Sequence, residues 1–98
     1  MNDYVDYLYC GHVVCLKLSQ PKTFKANRAM HINPLQDEDK ALFLKPGGLI
    51  TGQIVEEVDG IKTCNQDEQG NIDENYFDFF VNGKVYVFLD KRWLTEEN

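Results

Sequence analysis

The chain has 98 residues, a formal net charge of −6 and 43% hydrophobic residues. That length predicts one domain, residues 1–98, with one modest core. The apolar fraction excludes wholesale disorder, and the apolar runs fall far short of the ~18 residues that span a membrane. The acidic start Met1-Asn2-Asp3-Tyr4 lacks the basic and then apolar pattern of a secretion signal. Three cysteines, Cys10, Cys15 and Cys64, without such a signal predict reduced thiols in a cytoplasmic protein.

Residues 3–18 are rich in tyrosine and β-branched side chains and are divided by Gly11. They read as a hairpin, or as one long strand bulged at Gly11. The spacing of Cys10, His12 and Cys15 is one that presents soft ligands to zinc, with His31 or Cys64 as the fourth. In an extended strand, however, Cys10 and His12 share a face and Cys15 points away. The plainer expectation is a pair of core thiols beside a partly exposed histidine. No Cys–His pairing here has a recognisable orienting group or oxyanion hole, so the chain reads as a non-enzyme without a cofactor.

Ser19-Gln20-Pro21 ends this segment. Residues 22–30 have weak helical character, and Asp37, Glu38 and Asp39 suit the start of a short helix within 35–44. Pro46-Gly47-Gly48 marks a turn and lacks the ending of a phosphate loop. Residues 49–58 read as a strand with Gly52 as its weak point. Asp59-Gly60 predicts a two-residue hairpin turn that sets Val58 opposite Ile61 and Glu57 opposite Lys62, a favourable cross-strand pair. Residues 65–75 form a polar connection. It resembles a degraded calcium loop around Gly70, but Tyr76 stands where a bidentate glutamate belongs.

The clearest signal is Asn82-Gly83 between two aromatic and β-branched runs, 76–81 and 84–89. Asn-Gly favours a type I′ turn because both central residues need φ > 0. The regular register pairs Phe79 with Tyr86, Phe77 with Phe88 and Tyr76 with Leu89. One face then carries Phe77, Phe79, Val81, Lys84, Tyr86 and Phe88. The other carries Tyr76, Asp78, Phe80, Val85, Val87 and Leu89. Both are mostly apolar, so the second needs a cover: the 22–44 segment, barrel closure, a second copy in a homodimer, or a target. The expected fold is mainly β, a small antiparallel barrel or sandwich of six to seven strands with a short irregular or helical insert. An α+β arrangement is the rival.

Residues 7–36 contain Lys17, Lys22, Lys25 and Arg28 and no acid, whereas residues 37–98 contain 14 acids against 6 bases. The functional expectation is a small acidic interaction protein, of the kind phages use as inhibitors. It would bind and modulate a larger protein with a basic surface. Glu56, Glu57, Asp59, Asp67, Glu68, Asp73 and Glu74 would supply an anionic patch that imitates a run of phosphates. Phe77, Phe79, Tyr86 and Phe88 would supply an apolar contact. One alternative is a barrel in which those four aromatics line a small-molecule cavity. Another is a weak nucleic-acid module built on Lys17, Lys22, Lys25 and Arg28 with Phe24 for stacking, which the net negative charge opposes.

Overall fold

The computed structural model describes residues 3–63 and 69–97. They form ten strands: β1 (Tyr4–Tyr9), β2 (His12–Leu18), β3 (Lys22–Ala26), β4 (Met30–Pro34), β5 (Leu42–Leu44), β6 (Leu49–Val58), β7 (Ile61–Lys62), β8 (Tyr76–Val81), β9 (Lys84–Asp90) and β10 (Leu94–Glu97). A single 3₁₀ turn, Lys91–Trp93, is the only helical element among the described residues, and no helix there is long and apolar enough to cross a membrane. All strands join one antiparallel sheet in the order β1-β2-β6-β8-β9-β4-β5, with β3 between β6 and β10 and β7 beside β6. The mainly β class holds. The count of six to seven strands is corrected to ten, and the sheet neither closes into a barrel nor divides into two: its path ends at β1 and β5.

The expected helical insert is also corrected, because 22–44 contributes β3, β4 and β5. Its buried residues alternate, Phe24 and Ala26 in β3 and Met30 and Ile32 in β4, which is the period of a strand. The pairing partners lie far away in the chain, Lys25 with Leu49 and Asn33 with Val87. Packing and non-local pairing thus override weak local propensity.

The long strand β6 organises the sheet. On one side its first half pairs with β3 and its second half with β2, so β2 and β3 lie end to end. The joint is Ser19. Its N–H donates to Ile54 O at 2.9 Å, its Oγ accepts from Ile54 N at 2.8 Å, and its carbonyl accepts from Gln53 Nε2 at 2.9 Å. Pro21, with no N–H to offer, follows directly. On the other side β6 pairs with β8, Gln53 with Phe80 and Ile54 with Phe79. A Cβ at Gly52 would collide with Phe80 O, and would lie 2.9 Å from both the Phe79 ring and Val81 Cγ2. The residue that reads as a weak point is therefore where the two strands need the closest approach.

Both faces of the β8–β9 hairpin are covered from within the chain. Phe77, Phe79, Tyr86 and Leu89 pack with Phe24, Ile32, Ile50 and Leu94 on one side. Val85, with Phe80 and Val87, packs with Tyr7, Leu16, Leu18 and Val55 on the other. The second cover is thus the β1–β2 hairpin, and that face gives no reason to invoke a second copy.

Candidate functional site

The Asn82-Gly83 turn has φ of 51° and 80°, and the expected register holds from Val81–Lys84 to Phe79–Tyr86. Beyond that point it is corrected. Phe77 pairs with Leu89 and Tyr76 with Asp90, because β9 bulges by one residue opposite Asp78. Phe88, at φ 61°, turns outward and is 38% exposed, while Leu89 enters the core. Phe77, Phe79 and Tyr86 are buried, and Phe24, Phe77 and Phe79 pack with ring centroids 5.4 to 5.7 Å apart. These three side chains are packed core. Phe77 also borders the hollow beside Glu56 and Glu57, but of the four expected aromatics only Phe88 is substantially exposed.

Several of the described carboxylates have partners within the chain. Glu56 is exposed, but Glu57 sits 3.6 Å from Lys17 and opposite Lys62. Asp59 spends its carboxylate on the Cys15 N–H at 2.8 Å. Asp73 lies elsewhere, on the approach to β8, and holds Asn75 through two hydrogen bonds of 2.9 Å, with Glu74 exposed beside it. Asp67 and Glu68 lie outside the described residues. In the basic stretch Lys22 meets Glu96 at 3.4 Å, Lys25 meets Glu97 at 3.9 Å, and Arg28 stacks 4.2 Å above the Trp93 ring. Phe24 is buried, so it offers no stacking ring to nucleic acid.

Of the two readings for residues 3–18, the hairpin is the one formed. Cys10 and Gly11, at φ 51° and 80°, make a two-residue turn, and Tyr9 pairs with His12. Cys10 is exposed at the tip and Cys15 lies within β2; among the described residues no three metal-ligating side chains converge. His31 packs its ring against Phe43 at 4.9 Å. Cys64, and residues 65–68 of the calcium-like loop, lie outside the described residues.

Two features of this hairpin have no counterpart in the sequence reading. On its outer face Leu8 and Val13 share a rung and are 62% and 67% exposed, with Asp6 and Cys15 on the next equivalent rung. On its free edge the Gln36 side chain takes the place of a neighbouring strand. Gln36 Nε2 donates to Leu8 O at 3.0 Å and to the Tyr7 hydroxyl at 2.7 Å, and Oε1 accepts from Cys10 N at 3.4 Å.

Beneath the hairpin lies a half-enclosed cavity of about 250 Å³. Tyr7, Val14 and Leu16 form its roof, Val55, Val58 and Val85 its floor, and the more exposed Tyr9 and Leu35 its rim. The one charged side chain lining it is Asp78. Burial pushes that carboxyl up to about 6, and it has no hydrogen-bond or ion-pair partner among the described residues. A second hollow, of about 340 Å³, runs beside Glu56, Glu57, Lys17, Lys62 and Lys91 as far as Thr63.

No family model matches this chain, and no curated protein or solved structure matches it significantly.

Proposed function

We propose that the protein is a non-catalytic interaction module that binds a larger protein through the outer face of the β1–β2 hairpin and thereby modulates or inhibits it. The observation that carries this reading is the Leu8–Val13 rung. Two aliphatic side chains, each more than 60% exposed, stand together on the hairpin that ends the sheet. Paired apolar exposure on a terminal strand is a feature that soluble proteins otherwise avoid. Asp6 lies one equivalent rung away and Tyr4 one further, opposite Lys17, whose ammonium meets Glu57 at 3.6 Å, with Asp59 beyond Cys15. The surface is thus an apolar centre with an acidic and aromatic margin, suited to a partner with an apolar contact rimmed by basic residues. The net charge of −6 favours encounter with such a partner. In this reading the acidic residues guide association, and they do not imitate a run of phosphates.

The test compares the proteins that co-purify with tagged wild type and with the Leu8→Asp/Val13→Asp variant, both checked for an equal thermal midpoint. Recovery of a partner with wild type and its loss with the variant supports the hairpin. Equal recovery overturns it. A parallel Glu56→Lys/Glu57→Lys variant is expected to retain the partner; its loss there alone would return the binding surface to the acidic end of β6.

A further inference from the structure

The cavity beneath the hairpin contains an arrangement that neither packing nor the interaction surface accounts for. Its walls are aliphatic and aromatic, contributed by four separate strands and the connection after β4. Asp78 enters it from the middle of β8, at a position where its neighbours on the same face, Tyr76 and Phe80, are aromatic. Asp78 is half-buried and its carboxylate oxygens keep some contact with solvent, so its hydration is weakened and a donor from a ligand would strengthen its contacts. The chain supplies none among the described residues: the Arg92 guanidinium is engaged by Asp90 at 2.8 Å, and Lys17 by Glu57.

We propose that this cavity is a binding site for small organic cations, a primary ammonium on a compact alkyl or aryl body, with Asp78 as the counter-charge. The volume of about 250 Å³ suits such a ligand, since a cavity of about 150 Å³ already holds benzene. The ammonium supplies to Asp78 the donors that the protein lacks, and a charge-assisted hydrogen bond in a desolvated site is among the stronger polar contacts. The rings of Tyr7 and Tyr9 line the same space, and aromatic rings attract cations. The aliphatic floor accommodates the apolar body. Small anions are excluded by Asp78 and by the net negative charge of the chain. This site faces the inside of the hairpin, so it is separate from the Leu8–Val13 surface.

The test is a titration of isotope-labelled protein with benzylammonium, benzyl alcohol and benzoate, followed by amide and methyl chemical shifts. Benzylammonium is expected to move the signals of Val14, Val55, Val58 and Val85, and to bind about tenfold or more tighter than the alcohol, with benzoate weakest. Asp78→Asn should abolish the preference for the cation over the alcohol. Val14→Trp, which fills the cavity from the hairpin side, should abolish all binding. The absence of shifts at the four valines, equal affinity for cation and alcohol, or an unchanged preference in Asp78→Asn would each overturn the proposal. Acetyl-lysine amide serves as a further probe. Binding of it as tight as that of benzylammonium would assign the site to a lysine side chain of a partner protein and overturn the free-ligand reading.

Discussion

Gln36 reaches Tyr7 with a 2.7 Å hydrogen bond to its hydroxyl and thereby ties the connection after β4 to the hairpin that covers the cavity. The same amide also engages Leu8 O and Cys10 N, so one side chain occupies part of the free edge of β1. Without it, the hairpin is held over the cavity by apolar contacts alone on that side. Gln36→Ala is expected to cost about 1–2 kcal/mol, since the freed groups on the edge can turn to water. Native-state hydrogen exchange should quicken in β1 and β2 while β8 and β9 stay protected. Unchanged exchange in β1 would show that the tether contributes nothing to holding the hairpin.

Gly52 makes a second, sharper prediction. Its missing Cβ leaves room for Phe80 O, and the Phe79 ring and Val81 Cγ2 close the remaining space. The obstructing atom is backbone within a paired strand, so it cannot swing aside as a side-chain end would. Gly52→Ala is expected to destabilise by about 1–3 kcal/mol through overpacking. Thr51→Ala at the exposed neighbouring position, which removes a 2.8 Å hydrogen bond to Thr23, should cost no more than about 1 kcal/mol. Equal urea midpoints for the two variants would contradict the close approach.

The turns were legible in the sequence because their chemistry is local. Asp59-Gly60 and Asn82-Gly83 both adopt positive φ, and Glu57 faces Lys62 as that turn dictates. The hairpin at Cys10-Gly11 was readable only as one of two options, because a cysteine at φ 51° carries no turn signal of its own. Strands β3 and β4 are not legible locally because their pairing depends on residues 49–52, 94–97 and 86–87, which no local window contains. For the site, Asp78 was correctly placed on the second apolar face, but its meaning depends on the hairpin folding over it. Glu57 and Asp59 take partners from β2, more than 40 residues away for Asp59, which the local run of acids does not show. Gln36 gave no signal at all: nothing about a glutamine in a polar connection announces that it will stand in for a strand.

The bulge in β9 leads to a third prediction. Phe88 holds φ 61°, a conformation that is strained for a bulky residue, and it is 38% exposed. A β-branched side chain at that φ is worse, whereas glycine tolerates it. The expected order of stability is Gly above Phe above Val, with roughly 1–2 kcal/mol between Phe88→Gly and Phe88→Val. Thermal unfolding of the two variants measures this directly. If Val is the more stable, β9 runs through position 88 as a regular strand and the outward turn of Phe88 is wrong.

Asp78 sets the pH dependence of stability. Its carboxyl is raised by burial from 3.8 to about 6, so the folded protein binds this proton more tightly than the unfolded chain does. The resulting stabilisation is complete below about pH 3.8 and is lost as pH rises through about 6. At about 1.4 kcal/mol per unit, the window spans roughly 3 kcal/mol at most. Besides Asp78, the titratable groups lining the cavity are the phenols of Tyr7 and Tyr9. Asp90 acts with the opposite sign. Its hydrogen bonds from Arg92 hold it below the usual carboxylate value, so its contribution is present at neutral pH and lost as pH falls through its depressed folded value. Wild type should therefore gain stability from about pH 7 to about pH 5 and lose it in stronger acid. Asp78→Asn should remove the gain between pH 7 and 5, keep the acid loss, and exceed wild type in stability at pH 7. Urea unfolding across this range checks the sign: parallel curves for the two proteins would mean that Asp78 is ionised at little cost, and that its surroundings are wetter than the apolar walls imply.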